Sequence, residues 1–377
     1  MIVVVGFLLI ILLVIAHEAG HFWAARRSGV EVEEFGIGFP PRAKTLTKKN
    51  GTEYTLNWLP LGGFVKLKGE NDSDTTKGSF GAARLRDKVK IMVAGVVMNL
   101  LVAYILFTVI ALIGMPKLVE DQFTIASDTT VTRQEVLTGF IADDSPADLS
   151  GLELNDRIVS ITETGDCIEC KQFTLDNSEQ LGDATKSLAG SNVDVQITRD
   201  GSPMTLQASL LSQETVDQSA NEGVHKGYLG VVSDDFVVRR STWSAPIVGA
   251  GVTLQFTQLT LEGLGSIFTG LFQGDTEAAT QQVSGVVGVG YIFSSSSFLG
   301  STFTLMIVAV ISLSLAVMNI LPIPALDGGR LFVTLFYRLI RRPLSKKEEE
   351  RIHGTGFVLL MVLFVLITIL DVNRFIL

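Results

Sequence analysis

The sequence predicts a multi-span α-helical membrane protein with four transmembrane helices and an inserted β-rich domain. Of its 377 residues 47% are hydrophobic and the mean hydropathy is positive, too apolar for an ordinary soluble chain. The apolar residues gather into four runs, Met1 to about Ala25, Val89 to about Gly114, Ser301 to Leu321 and Gly356 to Leu370, each near the roughly 20 residues that cross a hydrocarbon core. Between the second and third runs the texture changes to short alternating stretches between polar turns, as in VLTGFIADD, DRIVSIT, NVDVQITRDG and YLGVVSDD. That is the pattern of half-buried strands.

Taken in order, residues 1–26 form the first helix. The opening MIVVVGFLLIILLVIA carries no charge and no helix breaker except Gly6. A signal peptide would place basic residues before such a core and small residues at a cleavage site after it, and neither is found. Residues 27–88 form a polar segment, 89–115 the second helix and 120–238 the β-rich domain. Residues 241–298 are apolar but studded with Gly, Ser, Thr and Gln, and read as an amphipathic interfacial segment. The third helix is 299–323, a second polar segment is 324–354 and the fourth helix is 355–377.

Basic residues orient these segments, because they concentrate on the cytoplasmic side. Residues 24–90 hold 13 Lys and Arg and residues 330–353 hold 7, whereas the much longer 115–299 holds 9 against 25 acidic residues, a net of −16. The two basic segments are expected in the cytoplasm, and the β-rich domain and both termini outside it, in an inner, cytoplasmic type of cell membrane. The acidic surface excludes nucleic acid as a partner, since phosphate binding needs the opposite sign.

Within the β-rich domain, SPADLSGLELNDRIVSI combines a helix start at Ser145-Pro146, a stop at Gly151 and a following strand. The segment resembles a PDZ domain, whose SPA, GL and GD pattern it follows with Asn155 in place of the customary glycine. The resemblance implies a groove near Gly139, Phe140 and Ile141 where an extended peptide adds as a strand, or else a domain of that shape used only as a steric filter. The two cysteines, Cys167 and Cys170, make half of a zinc site with no second pair to complete it. A local disulfide and two bystander thiols both stay open, and no catalytic part is assigned to them.

The stretch LLVIAHEAGHFWA carries the first apolar run into two histidines and a glutamate without a turn signal. Ionisable groups at membrane depth are costly enough to mark function. Residues four apart on a helix are displaced by only about 40° around the axis. His17 and His21 therefore present imidazoles to one ion with Glu18 beside them, the geometry of a hydrolytic zinc site with the glutamate as general base. The bland reading, two packed core histidines, leaves imidazoles and a carboxylate without partners in lipid.

A catalytic zinc takes three protein ligands and keeps one position for water, and FWAARRSGV after His21 offers no third. His225 falls in the β-rich domain and His353 just before the last span, so neither is expected to reach the site. The third run ends AVMNILPIPALDGGR. Pro322 and Pro324 break the helix, and irregular backbone at that depth is tolerated only where it packs in protein or lines a wet cavity. Asp327 follows, and Gly328-Gly329 let the backbone approach a neighbour. His17 and Asp327 both fall toward the cytoplasmic ends of their spans, which makes Asp327 the expected third ligand. Asp371 is expected at the interface after the last span.

HEAGH in the first helix and NILPIPALDGG in the third together resemble the site-2 proteases, intramembrane zinc metalloproteases of regulated intramembrane proteolysis, most nearly the bacterial RseP type. The resemblance runs nearly end to end. EFGIGFPPR is similar to that family's segment after the first helix, LPLGGFVKLKGE to its membrane-associated β-hairpin, AGVVMN (Ala94 to Asn99) to its second-helix motif and SGVVGV (Ser284 to Val289) to a further one. Val96 and Val286 stand where the family commonly has proline, and a single PDZ-like domain is present where some members have two. These departures bear on substrate choice rather than on chemistry.

The resemblance implies Zn²⁺ as cofactor and hydrolysis of a peptide bond in or near a membrane span. A helical substrate must be unwound to be cut, and its freed backbone needs new partners. An edge strand at Gly62, Gly63, Phe64 and Val65 offers them by β-addition, unless Gly62-Gly63 is an ordinary turn. Asn319 is the second candidate, because its amide bonds a backbone in both senses. Helix–helix bonding is the alternative for Asn319 and the reading adopted for Asn99. The expected partners are the lipid bilayer and single-span membrane proteins already shortened outside the membrane by another protease. Two rivals are a non-catalytic receptor or scaffold that uses the PDZ-like domain, and a zinc transporter, which needs several ionisable residues per span that the second and fourth runs lack.

Overall fold

The computed structural model describes residues 2–70, 74–165, 170–273, 285–295, 299–342 and 344–376; Cys167 and Ser284 lie outside them. The chain forms two compact units, one of residues 1–111 with 244–377 and one of residues 112–243. The first contains α1 (Ile2–Arg27), β1 (Val32–Lys49), β2 (Thr52–Leu67), α2 (Leu85–Ile113), α6 (Ala245–Gln273), α7 (Val286–Ser295), α8 (Ser301–Ile320), α9 (Asp327–Leu339) and α10 (Lys346–Phe375). The second contains β3 (Met115–Pro116), β4 (Thr130–Ile141), α3 (Pro146–Leu149), β5 (Arg157–Thr164), β6 (Gln172–Thr174), α4 (Ser178–Ser187), β7 (Asn192–Arg199), β8 (Ser202–Ser209), α5 (Gln213–Asn221) and β9 (Val231–Arg240).

Among the described residues, α1, α2, α8 and α10 are the helices long and apolar enough to cross a membrane. Two of them start earlier than their apolar runs. α10 begins at a capping box in which Ser345 and Glu348 satisfy each other's backbone N–H, and α2 begins in a basic stretch whose long side-chain stems suit a helix end at an interface. α1 ends where Gly29 takes φ +76° and the Val30 N–H reaches back to the Ala25 carbonyl at 2.9 Å, a glycine-terminated C-cap.

The stretch expected as an amphipathic interfacial segment is helical over its described part. α6 turns the hydroxyls of Thr253, Thr257 and Thr260 onto the carbonyl four residues back, at 2.7 Å, which gives each a partner in apolar surroundings. Phe256 stacks on Phe107 of α2 with ring centroids 5.8 Å apart. Phe293 of α7 packs with Leu13 and Val308. Asp371 departs from the interfacial place expected of it: it is buried within α10, and its Oδ2 accepts the N–H groups of Gly285 and Gly288 at 2.9 and 2.8 Å. It caps α7, satisfying orphan donors at that helix's start.

β1 and β2 form one antiparallel hairpin whose turn is Asn50-Gly51, both with positive φ, as a two-residue hairpin loop demands. Gly62-Gly63 is therefore not a turn but part of β2. Residues 63–67 pair with 32–37, while 52–57 pair with 34–37 and 42–49. The stretch 63–67 thus has a single partner among the described residues and lies at the edge.

The 112–243 unit is built on a sheet of order β3-β9-β4-β5-β7-β8, with β6 beside β5. Val193, Val195 and Ile197 point inward at every second residue of β7 and join Val136, Ile158 and Ile161 in its core. Ser145 Oγ caps α3 on the Asp148 N–H, and Asn155 takes φ +70°, a conformation asparagine tolerates better than other non-glycine residues. That tolerance explains how it stands in for glycine. At the groove expected near Gly139, Phe140 and Ile141, Phe140 and Ile141 pair with Val232 and Val231 of β9, while β5 pairs only with Val136 and Leu137 of β4. On the other side of β9, β3 pairs with Val238 and Arg239 and the Lys117 N–H donates to the Val237 carbonyl, so Val231 to Phe236 have β4 as their one strand partner among the described residues.

Asp156, 1% exposed, is held by two Arg199 nitrogens at 2.8 and 2.7 Å and accepts the Glu153 N–H. Asp156→Ala removes the carboxylate from Arg199, which keeps Glu153 Oε1 and the Gly151 carbonyl, and leaves the Glu153 N–H without its acceptor. It is expected to weaken this unit by about 2 kcal/mol, less than for a fully buried pair because Arg199 is partly exposed. Faster amide hydrogen exchange in β5 and β7 of the full chain is the measurement.

Candidate metal centre

His17 and His21 share one face of α1, and their Nε2 atoms stand 3.2 Å apart. Each also faces the same carboxylate oxygen, Asp327 Oδ2, at 3.1 and 3.0 Å. Among the described residues these three form the group of His, Cys, Asp and Glu side chains able to hold a metal ion. A tetrahedral zinc with bonds of about 2.0–2.1 Å has ligand–ligand edges of about 3.3 Å, so the triangle has the size of one face of such a site. Three lone-pair atoms this close repel one another unless a proton or a cation lies among them.

Asp327 reaches the histidines because α8 stops short. Pro322 and Pro324 end it, Ala325 turns through φ +79°, and Asp327 opens α9, where the helix N-terminus also favours its charge. Gly328 and Gly329 lie directly on the backbone just crossed: a Cβ on either would collide with the carbonyl of Ile320 or Ile323. Burial opposes ionisation of Asp327, but hydrogen bonds and charge from His17 and His21 outweigh it and hold the carboxyl well below the usual range. His353 takes a part not expected of it. Its Nδ1 accepts the Ala325 N–H at 3.2 Å, so α10 braces the turn that carries Asp327.

α2 supplies the third wall through Ile91, Gly95 and Asn99, spaced by four and so on one face. A Cβ on Gly95 would fall on the Nε2 atoms of both histidines. One turn away on α1, a Cβ on Gly20 would stand 2.6 Å from the Ala94 carbonyl oxygen. His21 Nδ1–H donates to the Ile91 carbonyl at 2.7 Å, which leaves the Nε2 lone pair facing the centre. Asn99, read from sequence as a helix-packing residue, is 3.2 Å from His17 Nδ1, and its backbone carbonyl also accepts from Ser312 Oγ of α8 at 2.9 Å. The sequence signal for these contacts is the four-residue spacing alone, which does not say what the face meets.

A cavity of about 540 Å³ opens beside the triangle, lined among others by Glu18, His21, Phe64, Val65, Asp327 and Arg330. A Cβ on Gly63 would lie 3.3 Å from Glu18 Cγ, so the edge stretch of β2 runs past the glutamate. Arg330, which sequence reasoning passed over, is set at this cavity by Glu70 at 3.5 Å and the Phe80 ring at 5.7 Å. Asn319 occupies the last turn of α8 and is not among the described residues that line the cavity. Gly139, Phe140 and Ile141 belong to the other unit.

A helical membrane bundle that carries HExxH on one span, and brings a carboxylate to it from the broken end of another, defines the class of membrane zinc metalloproteases. The chain belongs to peptidase family M50, whose model matches residues 5–363, and is a zinc metalloprotease of the site-2 type. It is 32% identical over 361 residues to a Clostridium perfringens protein that carries the name of a zinc metalloprotease, covering 96% of this chain and 95% of that one. A Campylobacter jejuni protein similarly named is 30% identical over 381 residues, with 98% and 92% covered. The regulator of sigma-E protease RseP of Salmonella typhimurium is 26% identical over 442 residues, with 96% of each covered.

Gly95→Ala separates helix stability from the metal centre. Alanine favours a helix interior by about 1 kcal/mol over glycine, so α2 itself gains, yet the added Cβ displaces the imidazoles. The expected outcome is a thermally stable chain with less than one zinc per molecule, read by metal analysis beside an unfolding curve.

Proposed function

We propose that this chain hydrolyses peptide bonds in or near the transmembrane segments of membrane-anchored proteins, as in regulated intramembrane proteolysis. His17, His21 and Asp327 hold the zinc and Glu18 is the general base. The observation that carries this reading is that His21 and Asp327 of the metal-sized triangle, Glu18 and an edge strand border a single cavity.

Bound zinc supplies a Lewis acid for the scissile carbonyl and lowers the pKa of the attacking water toward about 7. Glu18 takes the proton of that water onto its carboxylate and passes it to the nitrogen that leaves. The free side of Gly63 to Val65 accepts an extended substrate backbone by β-addition, and Gly62 at φ +101° bends the strand at that point, as glycine alone does without strain. Asn319, in the last turn of α8, adds an amide able to donate and accept. Basic residues concentrated in 24–90 and 330–353 support an active site toward the cytoplasm and a 112–243 unit outside it.

Single-span proteins already shortened by another protease fit this arrangement as substrates, with the PDZ-like unit sorting them. For that unit, exclusion of bulky ectodomains is favoured over capture of a new C-terminus. The open strand β9 carries Asp234 and Asp235, and Asp235 is bonded across to Ser178 at the start of α4. Carboxylates there repel a terminal carboxylate.

Glu18→Gln is expected to keep one zinc per chain while lowering turnover by about 10²-fold or more. The measurement is release of a cytosolic fragment from a panel of co-expressed membrane-anchored proteins. Equal release by the variant and the wild type removes Glu18 from the chemistry.

A further inference from the structure

Asn99 is 1% exposed. Its Nδ2 stands 3.2 Å from His17 Nδ1, and its Oδ1 is buried with no hydrogen-bond partner. A buried acceptor without a donor is costly. The two ends of a carboxamide have the same shape and exchange by a half-turn about χ2, and that half-turn sets Oδ1 beside His17 Nδ1.

The far side of the ring decides which end is needed. For His17 Nε2 to give its lone pair to a cation, the neutral imidazole must carry its proton on Nδ1, and a buried N–H needs an acceptor. His21 meets the same demand through the Ile91 carbonyl at 2.7 Å. For His17, the partner of Nδ1 among the described residues is the Asn99 amide. Resting on the ligand set proposed above, we infer that Asn99 is the positioning residue of His17: with zinc bound, its Oδ1 accepts the His17 Nδ1–H, which fixes the ring's tautomer and orientation. Without zinc, when the proton sits on Nε2 toward Asp327, the same amide donates through Nδ2. A carboxamide serves both states without adding charge to the bundle. The bond from Ser312 Oγ to the Asn99 carbonyl, 2.9 Å long, pins this turn of α2 to α8, so the amide turns on a fixed backbone.

The test is zinc affinity by chelator competition on the purified full-length chain, for wild type, Asn99→Leu and Asn99→Asp. Leucine keeps the volume and removes the acceptor, and aspartate keeps the acceptor. Asn99→Leu is expected to bind zinc about 10–100-fold more weakly and Asn99→Asp within about threefold of wild type, the span usual for outer-shell partners of metal-bound histidine. Wild-type affinity in Asn99→Leu, or equal weakness in both variants, overturns the inference. Should a variant not fold, the ¹⁵N shifts of histidine-labelled, zinc-loaded wild type decide: His17 as the Nδ1–H tautomer is expected, and zinc bound at its Nδ1 overturns it. Wild type that holds no zinc overturns the ligand set and this inference together, whereas the other outcomes overturn the inference alone.

Discussion

Three lone-pair atoms from two distant parts of the chain, His17 Nε2, His21 Nε2 and Asp327 Oδ2, meet within 3.2 Å of one another, and the packing around them follows from that meeting. In a helical bundle such crowding is repulsive unless positive charge lies among the three. The neighbouring residues are those that let the groups come together. Gly95 leaves room where any side chain would strike the rings, and Gly328-Gly329 allow α9 to fold back on the end of α8. The Ile91 carbonyl and Asn99 hold the outer nitrogens of the two rings. Each concession is small in itself; together they place a cation-sized gap where apolar packing would otherwise be continuous.

The helices divide their surfaces accordingly. Along α10, Phe357 to Leu370 are mostly exposed large hydrophobics, and α2 turns Val97, Leu101, Ile105 and Val109 outward while its opposite face meets the histidines. In water these faces would be a liability; in lipid they are the proper contact, and the polar groups gather inside. Several polar side chains in the bundle are returned to backbone. The threonines of α6 bond within their own helix, and Asp371 closes the start of α7.

The edge stretch of β2 joins the fold to the chemistry. A peptide bond in a helix is protected by its own hydrogen bonds, so the function proposed above calls for an alternative partner for the backbone that is unwound. Residues 63–67 have backbone positions paired on one side only and pass beside Glu18. The hairpin that carries them also exposes Phe39, Leu56, Trp58 and Leu59, at the end away from its Asn50-Gly51 turn.

Local chemistry was enough to read the four spans, the strands of the 112–243 unit, the HEAGH pair and the carboxylate of the LDGG turn, because each rests on periodicity, a helix breaker or a spacing of four. It was also enough to expect glycines where backbones approach. What sequence could not specify were contacts between elements far apart in the chain. Asn99 bonds to another helix, as expected, but its partner there is His17; His353 stays outside the histidine–aspartate group yet accepts the Ala325 N–H, and Asp371 is buried as a cap. A helix period tells which residues share a face, and strand alternation tells which point inward. Which element that face or edge then meets is settled only when the whole chain packs, since burial must satisfy polar groups contributed by many segments at once.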